Sequence, residues 1–291
     1  VSPFWFSVNG FDSIEPDTLA PNDLAQTYID RLRNSYVAIV PSLLDRMDAG
    51  QMATVLSDPI VRAAHVDAIR RFADDLEVDG VDIDYEQFAF ADSPSTWSVT
   101  RPNWVAFITE LSEVLHNDGR TLSVSIPAVY DESITGDPGY WVYDHGAIAE
   151  HVDGLRIMAY DYSVAEPGPI APIDWVQQVI NGVLLAVPPE FHDRVVLGIP
   201  SYGYNWPTSV VGDCPADAPG RTSINPGTLD DLIARRSIEP VADALTGEWS
   251  ATYELEIDDG VLSCLQTRQL HWIDADGVAR RVEMARRAGI R

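Results

Sequence analysis

The chain has 291 residues, of which 46% are hydrophobic; that suffices for one large α/β domain with an insertion, and no apolar run approaches the roughly 18 residues of a membrane span. The formal net charge is −26 and all 19 basic residues are arginine. Such a field repels phosphate backbones and anionic lipid, so it argues against nucleic-acid or membrane binding and favours a neutral or amino-sugar ligand; solubility or a salty habitat explains the same acidity.

In chain order, short β-rich runs alternate with amphipathic stretches over the first two hundred residues. Strands are expected at 2–8, 36–41, 80–85, 121–127, 154–160 and 194–202, each rich in Val, Ile or aromatic residues. Helices are expected at 21–34, 57–76, 100–117 and 174–187, where apolar residues recur at three- and four-residue spacing. Thr100 followed by Pro102 reads as an N-cap, and Asp174 as another. From 204 to 269 the alternation breaks down: Pro, Gly and Asp cluster over 213–227, 229–236 reads helical, and 252–257 with 261–266 reads as a hairpin turning at Asp258-Asp259-Gly260. Helix 276–288 resumes the first pattern. The division expected is a β/α catalytic domain over 1–203 and 270–291, with a small α+β insertion over 204–269.

Long β–α alternation implies a parallel sheet, and a closed barrel of this kind carries its active site at the strands' C-terminal ends. Such a barrel needs eight strands; six parallel candidates are visible. Cys214 and Cys264 both fall in the irregular third. In an exported chain they form a disulfide, in a cytosolic one two buried thiols, and the disulfide is the expectation. No signal peptide is visible at Val1: it has been removed, or the sequence starts after it.

The most informative segment is Asp79-Gly80-Val81-Asp82-Ile83-Asp84-Tyr85-Glu86. Side chains alternate across a strand, so Val81, Ile83 and Tyr85 face one way while Asp82, Asp84 and Glu86 face the other. Three carboxylates on an inward face cannot all ionise cheaply. Repulsion and burial must raise at least one pKa, which is what a general acid at neutral pH requires. A solvated strand face would suit an antiparallel edge better than a parallel strand between helices. A Mg²⁺ or Ca²⁺ site would need further ligands from other strands, and no such set is apparent.

The segment resembles the D-x-x-D-x-D-x-E signature of family 18 glycoside hydrolases, the chitinase-like enzymes, through Asp79, Asp82, Asp84 and Glu86. Met158-Ala159-Tyr160-Asp161 is similar to the family's M-x-Y-D strand end, and 197–203 to its next strand, with an insertion in the same place. The resemblance implies a (β/α)8 barrel and a secreted monomer, without cofactor or metal, that cleaves N-acetylglucosamine-containing glycan by substrate assistance. In that mechanism the substrate's own acetamido oxygen attacks C1. Glu86 would then be the acid/base, Asp84 would hold the acetamide N–H, and Asp82 would share a proton with Asp84. Tyr160 would donate to the acetamido oxygen, Asp161 would contact the same sugar, and Asp79 would be structural. Met158 shares their strand end. Trp5, Tyr130, Tyr202 and Trp206, on or after strand ends, are candidates to stack on sugar rings.

Three departures stand out. Tyr85 occupies a position where many chitinases have tryptophan, and Gln87-Phe88 replaces a frequent Tyr-Pro, which opens peptidoglycan as an alternative to chitin. The family's first and eighth strands have no counterpart, so 2–8 and 194–202 are expected to border an open gap, as in a chain trimmed from a longer protein. Two rival functions follow: a carbohydrate-binding relative without catalysis, against which Glu86 stands, and a metal-dependent barrel enzyme, which chelation would expose.

Overall fold

The computed structural model describes residues 1–17 and 25–291. The chain divides into two compact units, Val1–Met158 with Asn181–Val196 and Ile290–Arg291, and Ala159–Ile180 with Leu197–Gly289.

The first unit is built on β1 (Phe6–Gly10), β2 (Ser13–Pro16), α1 (Ala25–Arg33), β3 (Ser42–Asp45), α2 (Gln51–Ser57), α3 (Pro59–Asp75), β4 (Gly80–Asp84), α4 (Gln87–Phe90), α5 (Trp97–Asn117), β5 (Thr121–Pro127), α6 (Glu132–Thr135), α7 (His145–Ile148) and β6 (Gly154–Met158), followed in the chain by α8 (Ile173–Ala186) and β7 (Val195–Gly198). The sheet order is β2-β1-β3-β4-β5-β6-β7, and the pairs from β1 through β6 are parallel. This is β/α alternation of the (β/α)8 type in a sheet that is not closed among the described residues.

One expected edge is corrected. Strand 2–8 does not border a bare gap, because β2 pairs with β1 antiparallel on its outer side, Phe6 opposite Pro16 and Val8 opposite Ile14. At the other end of the sheet, Arg291 N–H donates to Val195 O at 2.9 Å.

The strand expected at 36–41 sits later, at β3. Residues 39 and 41 do join the ladder, Asp79 N–H donating to Ile39 O and Asp82 N–H to Pro41 O, both at 2.9 Å. Pro41 has no N–H to give back, so regular pairing resumes at Ser42. The helix expected at 57–76 is α3, which starts two residues later because Asp58, whose carboxylate accepts from Ile60 and Val61 N–H, caps it; α2 before it was not expected. Thr100 is no cap: α5 starts at Trp97, and the Thr100 hydroxyl donates to Thr96 O within the helix. Asp174 lies inside α8 rather than before it. Of helix 21–34, residues 21–24 lie outside the described residues.

The core follows from alternation. Val81, Ile83, Leu122, Val124, Ile126 and Leu155 are fully buried strand residues, and Trp104, Phe107, Ile108, Leu111 and Leu115 form the buried stripe of α5. Each such side chain contributes roughly 1.5–3 kcal/mol on burial. Arg62 of α3 ties the helices together, its guanidinium donating to both Glu110 oxygens and to Leu56 O.

The second unit carries an antiparallel sheet of β8 (Gly203–Gly212), β9 (Thr222–Ile224), β10 (Val241–Asp243), β11 (Glu248–Asp258) and β12 (Ser263–Trp272), in the order β10-β11-β12-β8-β9, with α9 (Pro226–Arg236) and α10 (Ala275–Ala288). The expected hairpin is present but longer, pairing continuously from Trp249–Trp272 to Asp258–Ser263. Its turn is made by Asp258 and Asp259 carboxylates accepting from N–H groups of residues 260 to 262, with Gly260 at φ +85°. Cys214 and Cys264 form the expected disulfide. Glu248 and Arg281, both buried, form an ion pair, and Glu248 also accepts from Ile170 and Ala171 N–H.

Candidate active site

The signature begins with a close backbone approach. A Cβ on Gly80 would lie 2.2 Å from the Thr121 hydroxyl and 2.4 Å from Thr121 O, so only glycine lets β4 reach β5 here. Asp79 accepts from Ile39 N–H at 2.7 Å and braces the strand start.

Beyond Gly80 the pleat sorts the side chains as alternation requires. Tyr85, 0% exposed, lies in the apolar layer between His65, Trp104 and Phe107. Its hydroxyl is 3.0 Å from His65 Nε2, while His65 Nδ1 is 2.7 Å from Phe11 O. Burial holds the His65 pKa down at about 4, so the ring is neutral. Nδ1 therefore donates to Phe11 O and Nε2 accepts from Tyr85. The Tyr143 hydroxyl, also buried, donates to Tyr85 O at 2.7 Å.

On the opposite face Asp82 is 0% exposed and enclosed by donors. Ser42 and Ser125 hydroxyls donate to Oδ2 at 2.7 and 2.9 Å, Ser123 donates to Oδ1 at 2.8 Å, and Arg156 Nη1 lies 3.3 Å from Oδ2. Strand register brings them together: Asp82 is level with Ser42 on β3 and Ser123 on β5, and Ser125 with Arg156 on β6. Asp84, 2% exposed, is treated differently. Its Oδ1 is buried with no hydrogen-bond partner among the described residues. Burial, then the charges of Glu86 and Asp82, push its pKa up to about 8, against the pull of Arg156 and Arg46. The one carboxyl is thus solvated by protein donors and the other left neutral near pH 7.

Glu86 follows β4 half-buried, where the chain turns into α4, and its carbonyl accepts from Ala89 and Phe90 N–H at 3.0 Å each. Its backbone is therefore held on both sides, by these bonds and by the Tyr143 hydrogen bond to the preceding carbonyl. Asp45, at the end of β3, is buried as well, and burial raises its pKa to about 6.

The remaining candidates fall into separate groups. Met158 ends β6 half-buried, and Tyr130 lies just after β5. Trp5 stacks obliquely near Tyr28, ring centres 5.8 Å apart. In the second unit, Asp161 takes φ +59°, unusual for a residue other than glycine, and accepts from the hydroxyls of both Tyr202 and Tyr204; the Tyr160 and Tyr202 rings meet edge to face. Trp206 is corrected: it is only 2% exposed, its N–H donates to Val164 O, and Tyr204 and His271 lie against it, so it is a core residue rather than a platform for sugar. Ser42, Ser123, Ser125, Arg156, Tyr143, His65 and Asp45 were not apparent from the sequence.

No group of three or more His, Cys, Asp or Glu residues able to hold a metal ion occurs among the described residues. Chemically, the β4 arrangement offers a half-buried carboxyl on a fixed backbone beside a neutral buried acid and an anchored anion, which suits proton transfer next to developing positive charge.

The chain is 33% identical to YdhD of Bacillus subtilis (strain 168) over 154 residues, 52% of this chain and 33% of that one, so it spans about a third of the length of that relative. Among solved structures it resembles a chitinase from Chromobacterium violaceum ATCC 12472, with a TM-score of 0.77 at 23% identity over 99% of this chain and 83% of the other. It also resembles the spore cortex-lytic enzyme SleL of Bacillus megaterium QM B1551, with a TM-score of 0.75 at 17% identity over 100% and 61%. At these identities the structures establish the shared fold. The family profile for Glycosyl hydrolases family 18 matches residues 11–254, and the chain belongs to that family.

Proposed function

We propose that the chain is a retaining glycoside hydrolase that cleaves β-1,4-linked N-acetylglucosamine-containing glycan by substrate-assisted catalysis, with Glu86 as acid and base. The observation that carries this reading is the unequal treatment of three neighbouring carboxyls: Asp82 anchored by three serine hydroxyls and an ion pair with Arg156, Asp84 buried and held neutral, Glu86 half-buried after the strand. Glu86 protonates the leaving oxygen while the substrate's acetamido oxygen attacks C1; the glycosidic bond breaks and an oxazolinium ion forms. Glu86, now ionised, takes a proton from water as that water opens the ring. Asp84 accepts the acetamide N–H on its unprotonated oxygen, and the Asp82–Asp84 pair, which shares one proton and carries one negative charge, steadies the positive charge. On the same reading Tyr160 donates to the acetamido oxygen and Asp161 contacts the sugar.

Chitin and peptidoglycan both remain substrates on this reading, since one structural neighbour is a chitinase and another a spore cortex-lytic enzyme. The disulfide supports secretion, because such bonds persist in oxidising compartments. The test is product analysis on chitooligosaccharides and on purified peptidoglycan with wild type and Glu86→Gln. Losing the proton donor is expected to lower turnover by about 10²–10⁴-fold while sugar binding persists. Wild-type turnover by folded Glu86→Gln, or the absence of any cleaved product, refutes the proposal.

A further inference from the structure

Three serine hydroxyls and one arginine surround Asp82. An ionised carboxylate only accepts hydrogen bonds, and Asp82 is met by three serine hydroxyls directed towards it at 2.7–2.9 Å and by the Arg156 guanidinium as an ion pair at 3.3 Å. A proton on Asp82 would require one of these hydroxyls to turn its hydrogen away, or would weaken the pairing with Arg156. Arg156 is itself steadied, its Nη1 donating to Ser2 Oγ at 2.6 Å. Asp84 shows the converse, a buried oxygen with no donor among the described residues.

We propose that Arg156 is a positioning residue that keeps Asp82 as the anion of the Asp82–Asp84 pair and so lodges the pair's proton on Asp84. The location of the proton follows from the donor arrangement; its bearing on turnover rests on the function proposed above. The surroundings agree. From β4 comes Asp84 and just after it Glu86, from the end of β3 Asp45 and the following Arg46, from β6 Arg156, and from the segment after β5 Tyr143, whose phenol is pushed up by burial and by Glu86, Asp84 and Asp45. β5 offers Asp82 only the uncharged Ser123 and Ser125. Among the described residues Arg156 is therefore the cation paired with Asp82, whereas Arg46 is engaged by Asp17 at 2.9 Å. Moving the proton from Asp84 to Asp82 would break the Asp82 carboxylate's pairing with Arg156, so Arg156 opposes that transfer and biases the pair towards a neutral Asp84.

The experiment is a carboxyl ¹³C NMR titration of aspartate-labelled protein, with Asp82→Asn and Asp84→Asn used to assign the two signals. In wild type the Asp84 signal is expected to titrate near pH 8. Because the two groups interact, the quantity read is the apparent value of the pair. In Arg156→Gln that value rises by about one unit, a tenfold gain in proton affinity, and both signals share the transition. Arg156→Lys keeps a charge and restores the wild-type pattern, which a purely structural arginine would not require. The matching limb of the kcat/KM pH profile moves upward with Arg156→Gln. An unchanged titration in folded Arg156→Gln, or protonation of Asp82 before Asp84 in wild type, overturns the proposal; the wild-type titration decides it even if the glutamine variant does not fold. Absence of glycan hydrolysis would refute the enzymatic reading and leave the NMR result standing.

Discussion

Replacing Asp84 by asparagine should stabilise the protein, and should do so only above acid pH. Asp84 is 2% exposed, and its carboxyl is raised from the ordinary 3.8 to about 8, first by burial and then by the charges of Glu86 and Asp82. Between those two values the folded chain holds a proton that the unfolded chain has released. Stability from this group is therefore fully present below pH 3.8 and is lost progressively as pH rises towards 8. Each unit of difference corresponds to about 1.4 kcal/mol, so by pH 7 the deficit is on the order of 4 kcal/mol. Asparagine has the same shape and never ionises, so Asp84→Asn avoids the loss. In a chain of this size the gain is roughly 10 °C in Tm at pH 7. The assay is thermal unfolding of wild type and variant at half-unit steps from pH 3.5 to 8, reading the difference between them. Asp45, raised to about 6, contributes equally to both curves and cancels. A difference that is flat with pH, or a wild type more stable than the variant at pH 7, refutes the reasoning. The variant should also be a poor enzyme, since a destabilising group is retained where function needs it.

How much of this was legible in the sequence depends on whether the signal is local. Alternation along one strand put Tyr85 with Val81 and Ile83, and opposed them to Asp82 and Asp84, because the pleat acts within a single segment. Helix stripes such as that of α5 are local for the same reason. The partners of Asp82 are not. Ser42, Ser123, Ser125 and Arg156 look like ordinary strand residues until register sets them level with one another, and register is fixed by packing between segments tens of residues apart. The polar alternation Ser123-Val124-Ser125 beside Asp82-Ile83-Asp84 was the available hint. β2 escaped notice because its four residues earn strand character only by pairing with β1. α2 was missed because Gly50, in left-handed conformation, precedes it with no side-chain cap. Trp206 misled by its position after a strand-end motif; in β8 it shares a face with Tyr204, and that face is covered.

The remaining predictions test separate parts of the molecule. Tyr143→Phe leaves the buried Tyr85 carbonyl without its donor, which should cost about 1–3 kcal/mol of stability and lower kcat more than it changes KM; an effect on stability with unchanged kcat would make Tyr143 structural only. Replacing Cys214 and Cys264 by serine opens a link across 50 residues, worth about 4 kcal/mol by loop-closure entropy, and denaturant unfolding at an unchanged midpoint would contradict this. With a net charge of −26, the fold should gain stability as sodium chloride rises from about 0.05 to 1 M, where screening shortens to about 3 Å; a Tm that falls or stays constant would show that like-charge repulsion is not limiting. The last prediction concerns the nucleophile. If the acetamido oxygen attacks C1, the protein supplies no covalent partner, so an oligosaccharide of the same length without N-acetyl groups should bind but not be cleaved. A thiazoline analogue of the oxazolinium ion should inhibit, because it copies the charge and shape that the β4 carboxyls are arranged to meet. Asp82 is poorly suited to attack, since both its oxygens are engaged by serine hydroxyls and Arg156, and Asp84 is held neutral below about pH 8. Mass spectrometry of the enzyme quenched during turnover provides the check: a glycosyl ester on either aspartate would replace substrate assistance with the two-carboxylate mechanism.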